Sequence, residues 1–123
     1  MTKLIKNEIH FKDIDLSKIP IRMSTGIVLK RISQMQHNPK IRYIILFGSE
    51  ARGEAVLTSD VDIALVSDIP LTVDERLEFT EIFQDEKFPE YRVINTLTDD
   101  LHSENIMNVN YHIKRDGLVI YAR

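Results

Sequence analysis

The chain of 123 residues contains no cysteine, which excludes both a disulfide framework and a thiolate metal site. Nothing in that usage opposes a reducing compartment, and a cytoplasmic location is the expectation. The first residues, MTKLIKNEIHFKD, lack the continuous apolar stretch of a signal peptide. Nowhere does an apolar run approach the roughly 20 residues that span a bilayer, so no membrane partner is expected. Positive charge is not in excess either. A formal net charge of −3, with both signs mixed along the chain, disfavours a nonspecific nucleic-acid binder, which needs a basic surface to neutralise phosphates. His10, His37, His102 and His112 are widely spaced and form no H-x-x-x-H pair; surface or packing roles are expected rather than a zinc site. Internal repeats and low-complexity tracts are absent as well.

What is present suffices for one core. With 43% hydrophobic residues the chain can bury a single interior and is too short for two ordinary domains. Residues 1–20 give only a weak strand signal around Glu8 to Ile14 and are read as an N-terminal extension; residues 21–123 are read as the domain. From Ile21 to Gln36, Met23, Ile27, Val28, Ile32 and Met35 recur at helical spacing until Asn38-Pro39 stops the pattern. The apolar run Ile41 to Phe47 predicts a buried strand. A second strand carries Asp60 and Asp62 and continues through Ile63 to Val66, and Asp68 and Pro70 then make a turn. Thr72 and Glu75 have capping-box spacing ahead of a helix with Val73, Leu77, Thr80 and Phe83 on one face, and its acids, Asp74, Glu75, Glu78 and Glu81, read as a solvated face. A strand from Tyr91 to Leu97, a helix from Ser103 to Arg115 ended by Gly117, and an extended segment from Leu118 to Tyr121 complete the reading.

The chemistry concentrates between Phe47 and Val66, FGSEARGEAVLTSDVDIALV. A strand turns successive side chains to opposite faces, so Asp60 and Asp62 share one face while Val61 and Ile63 point into the core. Two adjacent carboxylates repel unless a divalent cation lies between them. In two-metal phosphoryl transfer the ions lie roughly 3.5–4 Å apart, within reach of such a pair, and magnesium favours hard oxygen ligands completed by water and phosphates. The Gly48-Ser49 turn supplies a place for the phosphates. It follows the first apolar strand directly, and Glu50-Ala51-Arg52 reads as a short helix whose free N–H groups attract anions. Gly48 allows close approach, the Ser49 hydroxyl adds a donor, and Gly53 in a left-handed conformation ends the helix. Arg52 reads either as a phosphate or loop-positioning group or as half of a structural salt bridge. Ser59 reads as a cap for the loop before Asp60, and Glu50 and Glu54 as solvent-facing. Alone, a D-x-D or a Gly-Ser is an ordinary turn feature; in this order after an apolar strand they carry the reading together.

The pattern G-S-x-A-R-G, five residues, then S-D-x-D and two hydrophobic residues resembles the signature of the DNA polymerase β-like nucleotidyltransferase superfamily, and in particular its minimal nucleotidyltransferases. Gly48, Ser49, Ala51, Arg52, Gly53, Ser59, Asp60 and Asp62 fall in register. The resemblance implies an α/β (α+β) nucleotidyltransferase fold, a small mixed β-sheet flanked by helices. It implies magnesium on Asp60 and Asp62, nucleotide binding by Gly48, Ser49, Arg52 and Ser59, and transfer of a nucleoside monophosphate, AMP from ATP, to a hydroxyl. Members generally carry a third acid on a later strand. Tyr91 to Leu97 contains no carboxylate, which makes Asn95 the expected occupant and third catalytic-site residue, an amide that ligates but cannot act as base. Minimal nucleotidyltransferases are commonly paired with a helical HEPN toxin, so the resemblance also implies an antitoxin that modifies such a partner. Two alternatives stand beside it: a degenerate module that neutralises its partner by binding, and an enzyme modifying a small hydroxylated molecule such as an antibiotic. Homo-oligomerisation is left open.

Overall fold

The computed structural model describes residues 9–10, 21–84, 89–102 and 107–123. Its elements are β1 (Ile9–His10), α1 (Met23–Gln34), β2 (Ile41–Phe47), β3 (Val61–Ser67), α2 (Val73–Thr80), β4 (Tyr91–Leu97), α3 (Val109–Asp116) and β5 (Leu118–Ala122). The rest of the weak strand expected from Glu8 to Ile14, and the start of the helix expected at Ser103, lie outside the described residues. The α3 helix begins after Asn108, whose side chain accepts a hydrogen bond from the Asn110 N–H.

The strands form one mixed sheet in the order β1-β5-β2-β3-β4. In the centre, β2 pairs antiparallel with both β3 and β5, while β4 runs parallel to β3 and β1 runs parallel to β5. The near-continuous apolar sequences IRYIILF and VDIALVS suit strands covered on both faces. Alternation divides the core accordingly. Ile44, Leu46, Ile63 and Leu65 face α1 and α2 through Val28, Leu29, Ile32 and Phe79. Ile45, Phe47, Ala64 and Val66 face the opposite side, against Ile113 of α3 and Leu101.

Two helix faces differ from the sequence expectation. Among the described side chains of α1, Thr25, Val28, Leu29 and Ile32 are buried, whereas Ile27 is exposed; the side chain of Met23 lies outside the described residues. In α2, Val73 and Leu77 are exposed and Phe79 is buried, followed by Phe83 in the 3₁₀ turn Glu81–Phe83. The aromatic rings bury more area than the aliphatic pair, and they close an aromatic run in which Phe79 meets Phe83 and Phe83 stacks on Tyr91 at 4.3 Å. His37 has the expected packing role, its ring at 4.6 Å from that of Tyr121 and its Nε2 at 2.8 Å from the Ile32 carbonyl.

The capping box of α2 forms as expected. The Glu75 N–H donates to Thr72 Oγ1 at 3.1 Å and the Thr72 N–H donates to Glu75 Oε1 at 2.9 Å. Glu75 also accepts from Lys40 Nζ at 2.8 Å and Asn38 Nδ2 at 2.6 Å, tying α2 to the turn before β2. The Lys40 hydrogen bond, then those from Thr72 and Asn38, lower the Glu75 carboxyl from 4.5 to about 2. A lowered folded-state value stabilises above the unfolded one, so the contribution is complete above pH 4.5 and is lost as the pH falls toward 2. Accordingly, Glu75→Gln lowers the urea midpoint at neutral pH, and the gap to wild type closes between pH 4.5 and 2; a gap constant over that window contradicts this assignment. Thr72→Ala, which removes only the cap, costs about 1 kcal/mol.

Candidate active site

The register of β2 against β3 sets Phe47 opposite Asp62, so the residue that follows β2, Gly48, lies directly against the aspartate. Gly48 has a left-handed φ of 77°, and a Cβ built there would collide with Asp62 Oδ2. Both facts demand glycine at this point. The segment after it is a turn rather than the short helix expected from the sequence: the Arg52 N–H donates to the Gly48 carbonyl at 3.1 Å, Gly53 to Glu50 at 3.1 Å and Glu54 to Ser49 at 2.9 Å. Gly53, with φ 71°, closes it. These bonds leave the N–H groups of Ser49, Glu50 and Ala51 without a backbone acceptor among the described residues, the arrangement that attracts an anion.

Glu50 departs most from expectation. Instead of facing solvent it is completely buried. Arg22, at the start of α1, donates through Nε to both Glu50 oxygens at 3.0 and 3.2 Å and through Nη1 to the Val56 carbonyl at 3.1 Å. One guanidinium thereby joins the glycine turn, the following loop and α1. Charge burial requires such a partner, and Arg22 stands 28 residues away in the chain, so no local pattern announces it. Ser59 holds the other end of the loop, accepting from the Val56 N–H at 2.9 Å and donating its own N–H to the Val56 carbonyl at 2.9 Å. Arg52 donates to Glu54 at 3.1 Å and to Asp116 at 3.2 Å. Arg52 forms a salt bridge, as one of its sequence readings expects, and through it fastens the turn to the end of α3. Arg115 and then Arg52 keep the Asp116 carboxyl below the usual carboxylate range, against its partial burial.

Asp62 is the second residue of β3 and Asp60 immediately precedes the strand. Both reach the same guanidinium. Arg92 of β4 lies with Nη1 at 3.9 Å from Asp60 Oδ2 and Nε at 3.7 Å from Asp62 Oδ1. The Asp60 and Asp62 side chains retain 38% and 24% of their exposure. Burial pushes the Asp62 carboxyl above the usual range; Arg92 opposes that and Asp60 adds to it. Beside Asp60 opens a cleft of about 560 Å³ lined by Leu57, Thr58, Ser59, Pro89 and Glu90.

Asn95 is not brought to this group. It pairs with Leu65, three positions along β3 from Asp62, roughly 10 Å at 3.3 Å per residue. By strand alternation it also belongs to the opposite face. Its Nδ2 donates to the Leu65 carbonyl at 2.9 Å and to Ser67 Oγ at 3.0 Å, and its Oδ1 accepts from the Leu71 N–H at 3.0 Å. The amide is thus engaged in holding the connection from β3 to α2. The residue opposite Asp62 on β4 is Arg92.

A family model described as "Polymerase beta, Nucleotidyltransferase" matches residues 29–123. The chain belongs to the polymerase β nucleotidyltransferase family. Its fold is that of two solved structures. A toxin–antitoxin crystal structure with AMP-PNP aligns at a TM-score of 0.54 and 21% identity, over 84% of this chain and 75% of that one. A mutant of the toxin–antitoxin MntA–HpeT aligns at 0.51 and 19% identity, over 81% and 72%. No curated protein sequence matches the chain.

For this nucleotidyltransferase-family chain, sequence reasoning found the glycine turn and the aspartate pair. It missed Arg92, Glu50, Arg22 and Asp116. The parity of β4 relative to Asp62 was the only signal for Arg92, and it requires a register that the sequence does not state. No helix among the described residues is long and apolar enough to cross a membrane.

Two substitutions probe the turn. Glu50→Ala strands the Arg22 guanidinium and is expected to lower stability by about 2–3 kcal/mol, measured by urea denaturation; a loss under roughly 0.5 kcal/mol contradicts a structural role for the pair. Gly48→Ala displaces the Asp62 carboxylate; if the junction holds a metal and a nucleotide, as proposed below, the variant is expected to lose metal-dependent nucleotide binding, read by calorimetry.

Proposed function

We propose that the chain transfers AMP from ATP, with magnesium, to a hydroxyl on a HEPN-type toxin and so acts as its antitoxin. One observation carries the reading: the anion-ready turn at Gly48 and Ser49 abuts the Asp60–Asp62 pair through the pairing of Phe47 with Asp62. The donor set fits a magnesium ion. Two partly exposed carboxylates both reach one cation, the Arg92 guanidinium, and magnesium completes its shell with water and phosphate oxygens. When bound, the ion neutralises phosphate charge as pyrophosphate leaves.

The chain's own groups divide the remaining work. Ser49, Glu50 and Ala51 N–H groups and the Ser49 hydroxyl hold the outer phosphates. Asp60 and Asp62 hold the metal. Ser59 and Arg52 act on the loop and the turn, keeping both ends of the site in place. The acceptor oxygen bonds to the α-phosphorus, the bond from that phosphorus to the bridging oxygen breaks, and pyrophosphate departs; the hydroxyl proton leaves to water at the open side of the aspartates. Positioning and charge neutralisation supply most of the acceleration.

A protein acceptor is supported by the surface next to Asp60. Leu57, 88% exposed, lines the cleft that ends on the aspartate, and its chain neighbour Val56 is 62% exposed. The toxin–antitoxin character of the two similar solved structures, one with AMP-PNP, points the same way. A second reading, a degenerate module that acts by covering its partner, is favoured by the arginine that stands opposite Asp62 instead of an acid.

Incubation with α-labelled ATP and magnesium in a lysate of the source cell separates the two. Wild type labels one discrete protein on a hydroxyl side chain, and the Asp60→Asn, Asp62→Asn double variant labels none. Asp62→Asn lowers transfer by about a hundredfold or more, and more than Arg52→Ala does. Partner capture without transfer by the wild type, unchanged in the double variant, would establish the binding module instead.

A further inference from the structure

The aspartate pair has a further charged neighbour, Arg92 of β4. It is in register with Asp62 on the neighbouring strand, its side chain is 66% exposed, and its only ion-pair partners among the described residues are Asp60 and Asp62. At 3.7 and 3.9 Å these contacts are too long for hydrogen bonds. Charge holds the guanidinium there; directional bonding does not. Among the described residues no three His, Cys, Asp or Glu side chains gather where they could hold a metal. The ion-paired cluster therefore combines two negative charges with one positive charge, and Arg52, from the turn, adds a weaker positive field at Asp62.

That balance limits what binds. Two carboxylates neutralise one divalent ion. A second ion, roughly 3.5–4 Å from the first, would lack a third carboxylate and would lie close to a positive guanidinium. A nucleoside triphosphate carrying one divalent ion remains anionic, and a guanidinium fork matches phosphate oxygens with paired hydrogen bonds. Once the ion takes over the two carboxylates, the exposed Arg92 side chain is free to turn toward those oxygens.

We propose that Arg92 is a nucleotide-positioning residue standing in for a second metal ion, so that the site binds one divalent ion per nucleotide. The inference rests on the nucleotidyltransferase reading above. Manganese, counted per chain by electron paramagnetic resonance with and without AMP-PNP, provides the test, and AMP-PNP affinity is measured in parallel. With nucleotide present, wild type binds one manganese and Arg92→Asp binds two. Arg92→Ala weakens AMP-PNP by roughly tenfold to a hundredfold, the range for a lost charge-assisted hydrogen bond, tightens manganese in the absence of nucleotide, and is rescued in large part by Arg92→Lys. Exposure of the side chain keeps the variants folded, which circular dichroism verifies. Two manganese ions in the wild type, or unchanged AMP-PNP affinity in Arg92→Ala, overturn the proposal and leave the nucleotidyltransferase reading standing. Absence of manganese-dependent AMP-PNP binding in every form overturns both.

Discussion

The antiparallel pairing of β2 with β3, which sets Phe47 opposite Asp62, is the constraint on which the site depends. Because side chains alternate along a strand, a slip of one residue would turn Asp62 into the α1–α2 core and expose Ile63. The cost of burying that carboxylate and losing the packing of Ile44, Leu46, Ile63 and Leu65 fixes the register. Fold stability and site geometry are therefore the same specification. The hydrophobic pattern that closes the core also carries Gly48 to the aspartate.

Around that junction the loops are fixed by charge. Glu50 and Arg22 join the turn to the start of α1 from the buried side, and Arg52 and Asp116 join it to the end of α3 from the open side. A buried ion pair gives little net stability, since desolvation offsets attraction. Its effect here is positional: Arg22 also binds the Val56 carbonyl, so the loop leading to Asp60 and the turn leading from β2 share one anchor. Preorganisation of this sort lets N–H groups and carboxylates act without rearrangement when charge develops.

The elements that repeat strongly were legible from residue order alone. The strand Ile41–Phe47 coincides with β2, and the Thr72–Glu75 box caps α2 as its spacing demands. The pairing of Gly-Ser with D-x-D was legible too, because both halves are local and their order is informative. Long-range parity was not. Whether Asn95 or Arg92 shares a face with Asp62 depends on how β4 aligns with β3, and that alignment is decided by packing over distant residues. For the same reason Glu50 reads in the sequence as a solvent-facing acid, whereas a partner 28 residues upstream draws it inside. A helix face is ambiguous in the sequence where two stripes compete, as with the exposed Leu77 and the buried Phe79; the larger side chain takes the interior.

Calorimetric titration of AMP-PNP into the wild-type chain and into Asp62→Asn, each with and without magnesium, tests the central claim most directly. The account predicts binding by the wild type only when magnesium is present, and a loss of about tenfold or more in Asp62→Asn, with the thermal unfolding midpoint of the variant no lower than that of the wild type. Binding of equal strength without magnesium, or retained in full by Asp62→Asn, would contradict the assignment of the Gly48–Asp62 junction as a metal–nucleotide site.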